Sequence, residues 1–393
     1  MTFFELLLLT VALSIPAFYK SLFCKKTLIV FYLAILAHLL VIVCGLYFIK
    51  VPYFYDYDSN GFFNIASFRA ERGLVLSYFY SDIYSDFLAV LFRINGKNSW
   101  LCACLFSVLM FSLSTLYLLK INLILKTKIK NFIVLSLYAF LPSLIILTSS
   151  LLRESILIFS FIFSVWSFLL AFQKNRVRPY ILSCFMIILI SMIHVAFFIF
   201  YILMFSIFFF VFFCKRNLML CLFSFVTIGV LLVSIDKYNA HGLKYYFKSC
   251  YSDQKNHFHL AKKYHHSTPI TRATYKNNST FDVIINYYVR PYLFEVKNTL
   301  DLYAFLENLL RLILLIFVIF LPFKKNHTFI FLTILYFSFN ILWALATQNY
   351  GTGMRHHATT YWLLLILGLT GFRRFLEYYF PNSKIHKLLY TVN

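Results

Sequence analysis

Residues 27–49 read TLIVFYLAILAHLLVIVCGLYFI and contain no Lys, Arg, Asp or Glu. A run of about 20 apolar residues is long enough to cross a lipid bilayer as a helix. The whole chain follows this pattern, because its 393 residues are 61% hydrophobic and 13% charged, whereas soluble domains are about 45–50% apolar and 25% charged. The sequence therefore predicts a polytopic integral membrane protein. With 10 glycines and no G-x-G-x-x-G or Walker loop, it argues against a soluble nucleotide-binding fold.

Apolar runs along the chain predict an all-α fold with about 11 transmembrane helices. The stretch 180–213 is too long for one helix and short for two, so it is divided near His194. Residues 83–95 are amphipathic and are expected at the membrane interface or as a re-entrant segment. One transmembrane domain, 1–393, then contains a single long outer loop at 236–303. The predicted spans are 2–19, 27–49, 99–119, 131–150, 154–172, 180–194, 195–213, 217–235, 304–322, 327–346 and 358–376.

Lysine and arginine concentrate in alternate turns between these spans. Those turns hold half of the 36 Lys and Arg residues but only one of the 14 acids, Glu377. By the positive-inside rule they face the cytoplasm, which puts the N-terminus outside and the C-terminus inside. Much of the net charge of +22 is thus a topology signal, and no nucleic-acid partner is predicted. The basic residues of these turns are Lys20, Lys25, Lys26, Lys120, Lys126, Lys128, Lys130, Lys174, Arg176, Arg178, Lys215, Arg216, Lys324, Lys325, Arg373, Arg374, Lys384 and Lys387.

Four arginines lie at or near the predicted outer boundary of the membrane. A charge near hydrocarbon costs at least about 2.5 kcal/mol at a helix centre, so it usually faces a partner or a wet cavity. The guanidinium group donates two parallel hydrogen bonds to phosphate oxygens and stays charged. Converging arginines at this surface therefore indicate a site for a lipid pyrophosphate. The four are Arg153, Arg290, Arg311 and Arg355.

Each of these features also has a purely structural interpretation. Arg153 and Glu154 could form an ion pair at a helix end. Residues 351–353, Gly-Thr-Gly, are expected to form a tight turn that brings backbone N–H groups to an anion beside Arg355. Metal binding is not predicted, because no acid or cysteine completes a ligand set with the histidines of the long loop. Those histidines, His257, His259, His265 and His266, are interpreted as part of a solvated polar face.

The chain resembles the Wzy-type polymerases of O-antigen and capsule, in the exopolysaccharide-polymerase-like branch. Length, number of spans and one dominant outer loop agree over nearly the whole chain. Two departures are His357, where related proteins often carry a second Arg, and the absence of the Arg-x10-Gly loop repeats of some O-antigen polymerases. The patches that carry the resemblance are Asp56 with Asn60 and Phe63, Pro142 through Ser149 to Glu154, Arg290-Pro291 through Glu295 to Glu307-Asn308, and Asn349-Tyr350-Gly351-Thr352 to Arg355.

The resemblance implies a substrate class and a location. Such enzymes transfer a growing glycan from undecaprenyl pyrophosphate to the next lipid-linked repeat unit, on the periplasmic face of the bacterial inner membrane, with a helical bundle of the broad GT-C type. Donor and acceptor are undecaprenyl-pyrophosphate-linked oligosaccharides, with membrane lipid around them and a chain-length regulator as an optional protein partner. No cofactor is implied. The N-terminus is then periplasmic and the C-terminus cytoplasmic.

Roles can be assigned to candidate residues from the chemistry of glycosyl transfer. Arg153, Arg290 and Arg355 are expected to stabilise the departing pyrophosphate. A base must accept the proton of the attacking sugar hydroxyl, and His356 and Glu154 are preferred because they adjoin the arginines. The full set of candidate bases is His356, Glu154, Glu295, Asp56 and His194. The alternatives are an O-antigen ligase or another GT-C-type glycosyltransferase, a lipid-linked glycan flippase, which the scarcity of charges within the spans disfavours, and a structural membrane protein.

Overall fold

The computed structural model describes residues 1–49, 51, 54, 57–72, 80–174, 176–194, 197, 280–296, 299–323, 327–347 and 350–380. Regular structure within these ranges is helical, which confirms the predicted all-α class. The α-helices are α1 (Phe3–Phe18), α2 (Lys25–Tyr47), α3 (Tyr57–Arg72), α4 (Tyr80–Asn95), α5 (Trp100–Ile124), α6 (Asn131–Ala139), α7 (Pro142–Ser149), α8 (Glu154–Lys174), α9 (Val177–Ile193), α10 (Thr280–Val289), α11 (Thr299–Phe317), α12 (His327–Ala346) and α13 (Tyr350–Tyr379).

Five of these helices are long and apolar enough to cross a membrane, or six if the bent pair α6 and α7 forms one span. They include α2, α5, α8 and α12, and the fifth runs from α11 into a short 3-10 helix, Val318–Phe320. Helices α1 and α9 are apolar but shorter. The predicted spans 195–213 and 217–235 lie outside the described residues apart from Phe197, so the total of about 11 spans stays a prediction.

The predicted span 131–150 consists of two helices, α6 and α7, which count as one span only if the bent pair crosses the membrane together. Helices α6 and α7 meet at an angle of 69°. The break falls at Pro142, which is the first residue of α7; proline lacks an N–H and clashes with the preceding turn, but it suits the first position of a new helix. The bend points the start of α7 towards α11, where it meets the side chain of Glu307.

The turn predicted at Gly351-Thr352-Gly353 is wrong. These residues form the first turn of α13, which continues without interruption through the predicted span 358–376. Arg355 and the two histidines after it are therefore presented from a helix. Further along, α13 approaches α11 closely: a Cβ built on Gly371 would lie 1.8 Å from the carbonyl oxygen of Phe317. Glycine is what permits this backbone contact, a common device where membrane helices pack.

The end of the predicted loop 236–303 is helical as well. Helix α10 covers part of it and packs against α12, and α11 starts at Thr299. Tyr287 of α10 is fully buried. This part of the loop is thus built into the helical bundle. The predicted amphipathic segment 83–95 lies in α4, which packs against α3 and is joined to it by the ion pair Arg69–Asp86 at 2.6 Å.

Turns that were predicted to share one side of the membrane do lie together. Arg373 donates to the carbonyl oxygen of Thr127, and the Gln173 side chain donates to that of Ile124 at 3.0 Å. These contacts join three of the basic turns at one end of the bundle. The spatial clustering agrees with the alternation read from the charges, while the membrane itself and the direction of the bundle across it stay predictions.

The opposite end carries the buried acid of α1. Glu5 forms a capping box with Thr2 and accepts a hydrogen bond of 2.6 Å from the Ser99 hydroxyl. Because Ser99 also caps α5, one carboxylate holds the starts of two helices together. Glu5 is an acid within a predicted span, and its role here is structural, because it holds the start of α1 against the start of α5.

Candidate functional site

Arg355 is the centre of a charged cluster that joins distant parts of the chain. Its Nε donates to Glu154 Oε1 at 2.8 Å, and its Nη2 contacts the same oxygen at 2.5 Å. Its Nη1 donates to Asp58 Oδ2 at 2.7 Å. The first turn of α13, the first residue of α8 and the first turn of α3 thus meet at one guanidinium group. Glu154 is 7% exposed, whereas Asp58 is 46% exposed, so the cluster is closed on one side and open on the other.

Arg153 brings a second positive charge to the same place. It lies near enough to Glu154, Arg355 and Asp58 for their charges to act on it, and its guanidinium carbon is 5.8 Å from the centre of the Phe62 ring. Its Nε is buried and has no hydrogen-bond partner. The ring of Phe62 therefore covers one face of the cation while a polar edge stays unpaired.

Two more buried polar atoms beside this cluster lack a hydrogen-bond partner. They are Oε2 of Glu154 and the hydroxyl oxygen of Tyr84, and the charges of Glu154 and Arg153 both act on that tyrosine. Buried polar atoms are nearly always hydrogen-bonded in folded proteins, and an unpaired one costs about 1–3 kcal/mol. Three such atoms around one pair of arginines indicate a place that binds a polar ligand.

A histidine pair adjoins the arginines on an aromatic support. The ring of His356 stacks on Trp343, with 3.8 Å between ring centres, and His194 meets the same indole edge-on at 5.3 Å. The charges of Arg153 and Arg355 act on both histidines. Trp343 thus fixes both imidazole rings beside the two cations.

The hydrogen bonds of Thr347 determine which nitrogen of His356 carries the proton. The Thr347 hydroxyl donates to the carbonyl oxygen of Trp343 at 2.6 Å, and a carbonyl oxygen can only accept. Its oxygen, 2.7 Å from His356 Nδ1, must therefore accept from an N–H at that nitrogen. In the neutral ring, Nε2 is then the atom with the free lone pair.

His356 precedes the apolar segment 358–376, and its environment favours this neutral form. Burial lowers the pKa of His356 well below its usual value, and the positive charges of Arg355 and Arg153 lower it further. Both effects disfavour the imidazolium ion. A neutral imidazole whose lone pair is defined is the form that can accept a proton.

A second ion pair, between Glu307 and Arg311, is buried inside the bundle, and both oxygens of its carboxylate are bonded while Nε of Arg311 is not. Arg311 Nη2 donates to Glu307 Oε2 at 2.9 Å, and its Nη1 donates to Asn308 Oδ1 at 2.6 Å. The other Glu307 oxygen accepts from the backbone N–H of Ser143 at 2.6 Å, at the start of α7. Both charged side chains are almost completely buried. Arg311 therefore joins α11 to α7, and it does not belong to the Arg153–Arg355 cluster.

Arg290 and Glu295 form a third ion pair, and His357 contacts the backbone of α10. Arg290 Nε is 3.5 Å from Glu295 Oε1, and its backbone carbonyl accepts from Asn308. His357 Nε2 lies 2.9 Å from the carbonyl oxygen of Tyr287, so this nitrogen carries the proton. Arg290 thus contacts Glu295 of the short helical turn after it and Asn308 of α11.

Among the residues predicted from sequence, the structure thus brings together Arg153, Glu154, His194, Arg355 and His356. Asp56 lies outside the described residues, as do the four histidines of the long loop. The acid of this turn that binds Arg355 in the described residues is Asp58. Sequence reasoning missed Tyr84, Trp343 and Thr347; the first is on the inward side of an amphipathic helix, and the other two are spaced one helical turn apart, but neither pattern identifies a site by itself.

No family model, no curated protein and no solved structure matched this chain. The fold and the site alone therefore define its class. The regular structure of its described residues is helical and includes long apolar helices of the kind found in membrane proteins, and these residues carry a partly open cluster of two arginines, two acids and two histidines at helix ends.

Proposed function

We propose that this protein is a membrane glycosyltransferase that polymerises lipid-linked oligosaccharide repeat units. It transfers the growing glycan from undecaprenyl pyrophosphate to the next lipid-linked unit at the periplasmic face of the bacterial inner membrane. The observation that carries the proposal is the open cluster in which two arginines adjoin three unpartnered polar atoms, on Arg153, Glu154 and Tyr84. The sequence resemblance to Wzy-type polymerases supplies the substrate class.

In this proposal, the two arginines bind the leaving group. As the bond between the anomeric carbon and the pyrophosphate oxygen breaks, its electron pair stays with the pyrophosphate, whose negative charge grows. Arg153 and Arg355 stabilise that charge, which is the largest single effect available to such a site. Glu154 holds Arg355 in position through Oε1, so its role is to position the arginine more than to accept a proton.

His356 accepts the proton in the same step. The hydroxyl oxygen of the acceptor sugar forms the new bond to the anomeric carbon, and its proton passes to Nε2 of the neutral imidazole. Thr347 holds the proton on Nδ1, and the stacked Trp343 fixes the ring plane. His194 lies on the same indole and is the second candidate for this role.

The test is a gel of surface glycan from a strain that lacks the gene and from the same strain complemented with the wild-type chain. Loss of a polymerase leaves one repeat unit on its normal acceptor, because ligation and translocation continue. Complementation restores the ladder of long chains. The Arg355→Gln variant, produced at the wild-type level in the membrane, is expected to give only the single-unit band.

Two other patterns would support different functions. Long chains that accumulate on the lipid carrier, with none on the surface, would identify a ligase. Single lipid-linked units trapped on the cytoplasmic side would identify a flippase. A normal glycan ladder from Arg355→Gln would remove the arginine from the mechanism whichever pattern the deletion strain shows.

A further inference from the structure

The ends of several helices enclose a cavity at the end of the bundle where Arg373 contacts the Thr127 carbonyl oxygen, opposite the end that carries Glu5. The cavity has a volume of about 370 Å³, and the ends of α5, α8 and α13 and the start of α12 contribute to its walls. Its polar lining includes Lys126, Gln173, Arg373 and Arg374. These residues belong to the turns that were predicted from their charge to face the cytoplasm, so the cavity is separate from the proposed glycosyl-transfer site.

The charges around this cavity are unbalanced. Arg373 is buried and donates to the Thr127 carbonyl oxygen and to Glu377. Arg374 is 49% exposed and shares the same acid. Lys126 is exposed at the rim, in a left-handed backbone conformation with φ of 50°, which is uncommon for residues other than glycine. Three cations therefore face one carboxylate, and an anion in the cavity would meet a net positive charge.

A second cavity adjoins the first and shares Arg374. It has a volume of about 350 Å³ and is also lined by Phe320 and Tyr378. Tyr378 is 79% exposed, and Tyr379 and Phe380 beside it are more than half exposed. Exposed aromatic rings next to basic side chains are typical of the level of lipid headgroups in a membrane. This neighbourhood favours a lipid over a ligand that comes from solution.

We infer that the cavity lined by Lys126, Arg373 and Arg374 binds the phosphate group of an anionic phospholipid. Basic pockets between helices on the cytoplasmic side are suited to such headgroups. Lys126 and Arg374 supply exposed charge at the rim, while the alkyl chains of the lipid run past Phe320 and Tyr378. The inference does not depend on the proposed function, because no residue of this cavity belongs to the Arg153–Arg355 cluster.

The experiment uses the purified full chain, stripped of lipid in a neutral detergent. Thermal unfolding and native mass spectrometry are followed while phosphatidylglycerol, phosphatidylcholine or sodium phosphate is added. Saturable binding and a raised Tm are expected with phosphatidylglycerol only. The double variant Lys126→Gln/Arg374→Gln is expected to bind phosphatidylglycerol about 30-fold more weakly, since each of the two basic residues contributes about 1 kcal/mol near a lipid surface and about 1.4 kcal/mol corresponds to a factor of ten.

The matched control is Arg176→Gln/Arg178→Gln. It removes two exposed cations from the same predicted side but does not touch the cavity, and it is expected to bind phosphatidylglycerol like the wild type. Equal weakening in both double variants would show a general surface charge and overturn the proposal. Sodium phosphate that binds as tightly as the lipid would overturn the lipid assignment. A lipid-free Tm close to that of the wild type shows that the test variant is folded.

Discussion

Two Glu–Arg pairs in this molecule use the same chemistry in opposite settings. Glu307 and Arg311 are 3% and 4% exposed, and both oxygens of Glu307 have partners. In the pair of Glu154 with Arg355, one Glu154 oxygen has no partner, and the arginine also binds an exposed carboxylate, that of Asp58. The first pair joins two helices and leaves little to bind. The second pair leaves one buried carboxylate oxygen unpaired and has an exposed carboxylate beside it.

This difference shows why an arginine near a membrane boundary does not identify a site by itself. Arg311 and Arg355 are equally conspicuous in the sequence, but the carboxylate that pairs with Arg311 has both oxygens bonded inside the bundle, whereas the carboxylate that pairs with Arg355 has an unpaired oxygen and can take a ligand. The two pairs should therefore respond differently to the same substitution. Loss of Arg311 should affect stability first, and loss of Arg355 should affect activity first.

The largest effect is expected for Arg311→Met. This change leaves the Glu307 carboxylate buried without its cation, which typically costs about 3–5 kcal/mol. We expect a strongly lowered Tm in detergent and little protein in the membrane, measured by thermal unfolding and by immunoblotting. The double variant Glu307→Gln/Arg311→Met removes both charges and should recover much of the loss. A stable Arg311→Met protein that makes no polymer would instead place Arg311 in the site.

Next in size is the effect of Arg355→Gln on catalysis. Removing one donor that stabilises transition-state charge lowers a rate by about 10²–10³-fold. We expect a loss of this order in the transfer of labelled lipid-linked units, with Tm changed far less than by Arg311→Met. Arg355→Lys keeps the charge but loses the guanidinium fork that holds Glu154 and Asp58 together. Its rate should therefore lie between that of the wild type and that of Arg355→Gln. Wild-type rates for Arg355→Gln would contradict the proposed mechanism.

The sequence predicts the sides of this fold better than its contacts. Alternating basic turns indicated which ends belong together, and the contact of Arg373 with the Thr127 carbonyl agrees. The apolar pattern does not specify which helices touch, so the bond from Glu307 to the start of α7 could not be foreseen. The glycines at 351 and 353 suggested a turn, although each costs a helix only about 1 kcal/mol, which the long apolar segment after them can offset.

The same limit applies to the site. Arg153 and Arg355 were predicted because charge at a membrane boundary is costly and usually has a function, and Glu154 and His356 because they adjoin these arginines. Tyr84 was missed because a tyrosine on an amphipathic helix is ordinarily part of a packed face. Its significance depends on the unpaired hydroxyl beside Glu154. That proximity exists only in the folded structure, and no sequence pattern indicates it.

A smaller effect, of opposite sign, is expected for Asp58→Asn. Asp58 binds Nη1 of Arg355 and so competes with the pyrophosphate that Arg355 is proposed to bind, and exposed ion pairs contribute only about 0–1 kcal/mol to stability. We expect an unchanged Tm and a severalfold lower KM for the lipid-linked donor, with kcat little affected. The matched control is Glu71→Gln, an exposed acid on the same helix that binds Asn98, which should leave KM unchanged. A higher KM for Asp58→Asn would show that Asp58 helps to bind substrate.

A smaller effect still is expected in the pH–rate profile, whose acid limb should lie at lower pH than for a base with the usual histidine pKa. The base is proposed to be neutral His356, whose pKa is lowered by burial and by Arg355 and Arg153. Because a lowered pKa keeps the ring neutral as the pH falls, the rate should change less than twofold between pH 7.5 and 6, whereas a histidine with the usual pKa of about 6.5 would lose about fourfold. Initial rates of lipid-linked transfer across this range test the difference.

The variant Thr347→Val separates the role of the base from that of a packed ring. It keeps the shape of the side chain but removes the acceptor that holds the proton on His356 Nδ1, so the ring can protonate Nε2 instead and lose its reactive lone pair. We expect a lower kcat with an unchanged Tm and an unchanged donor KM. If Thr347→Val has the wild-type kcat, the proton does not pass to His356, and His194, which also contacts Trp343, becomes the residue to vary.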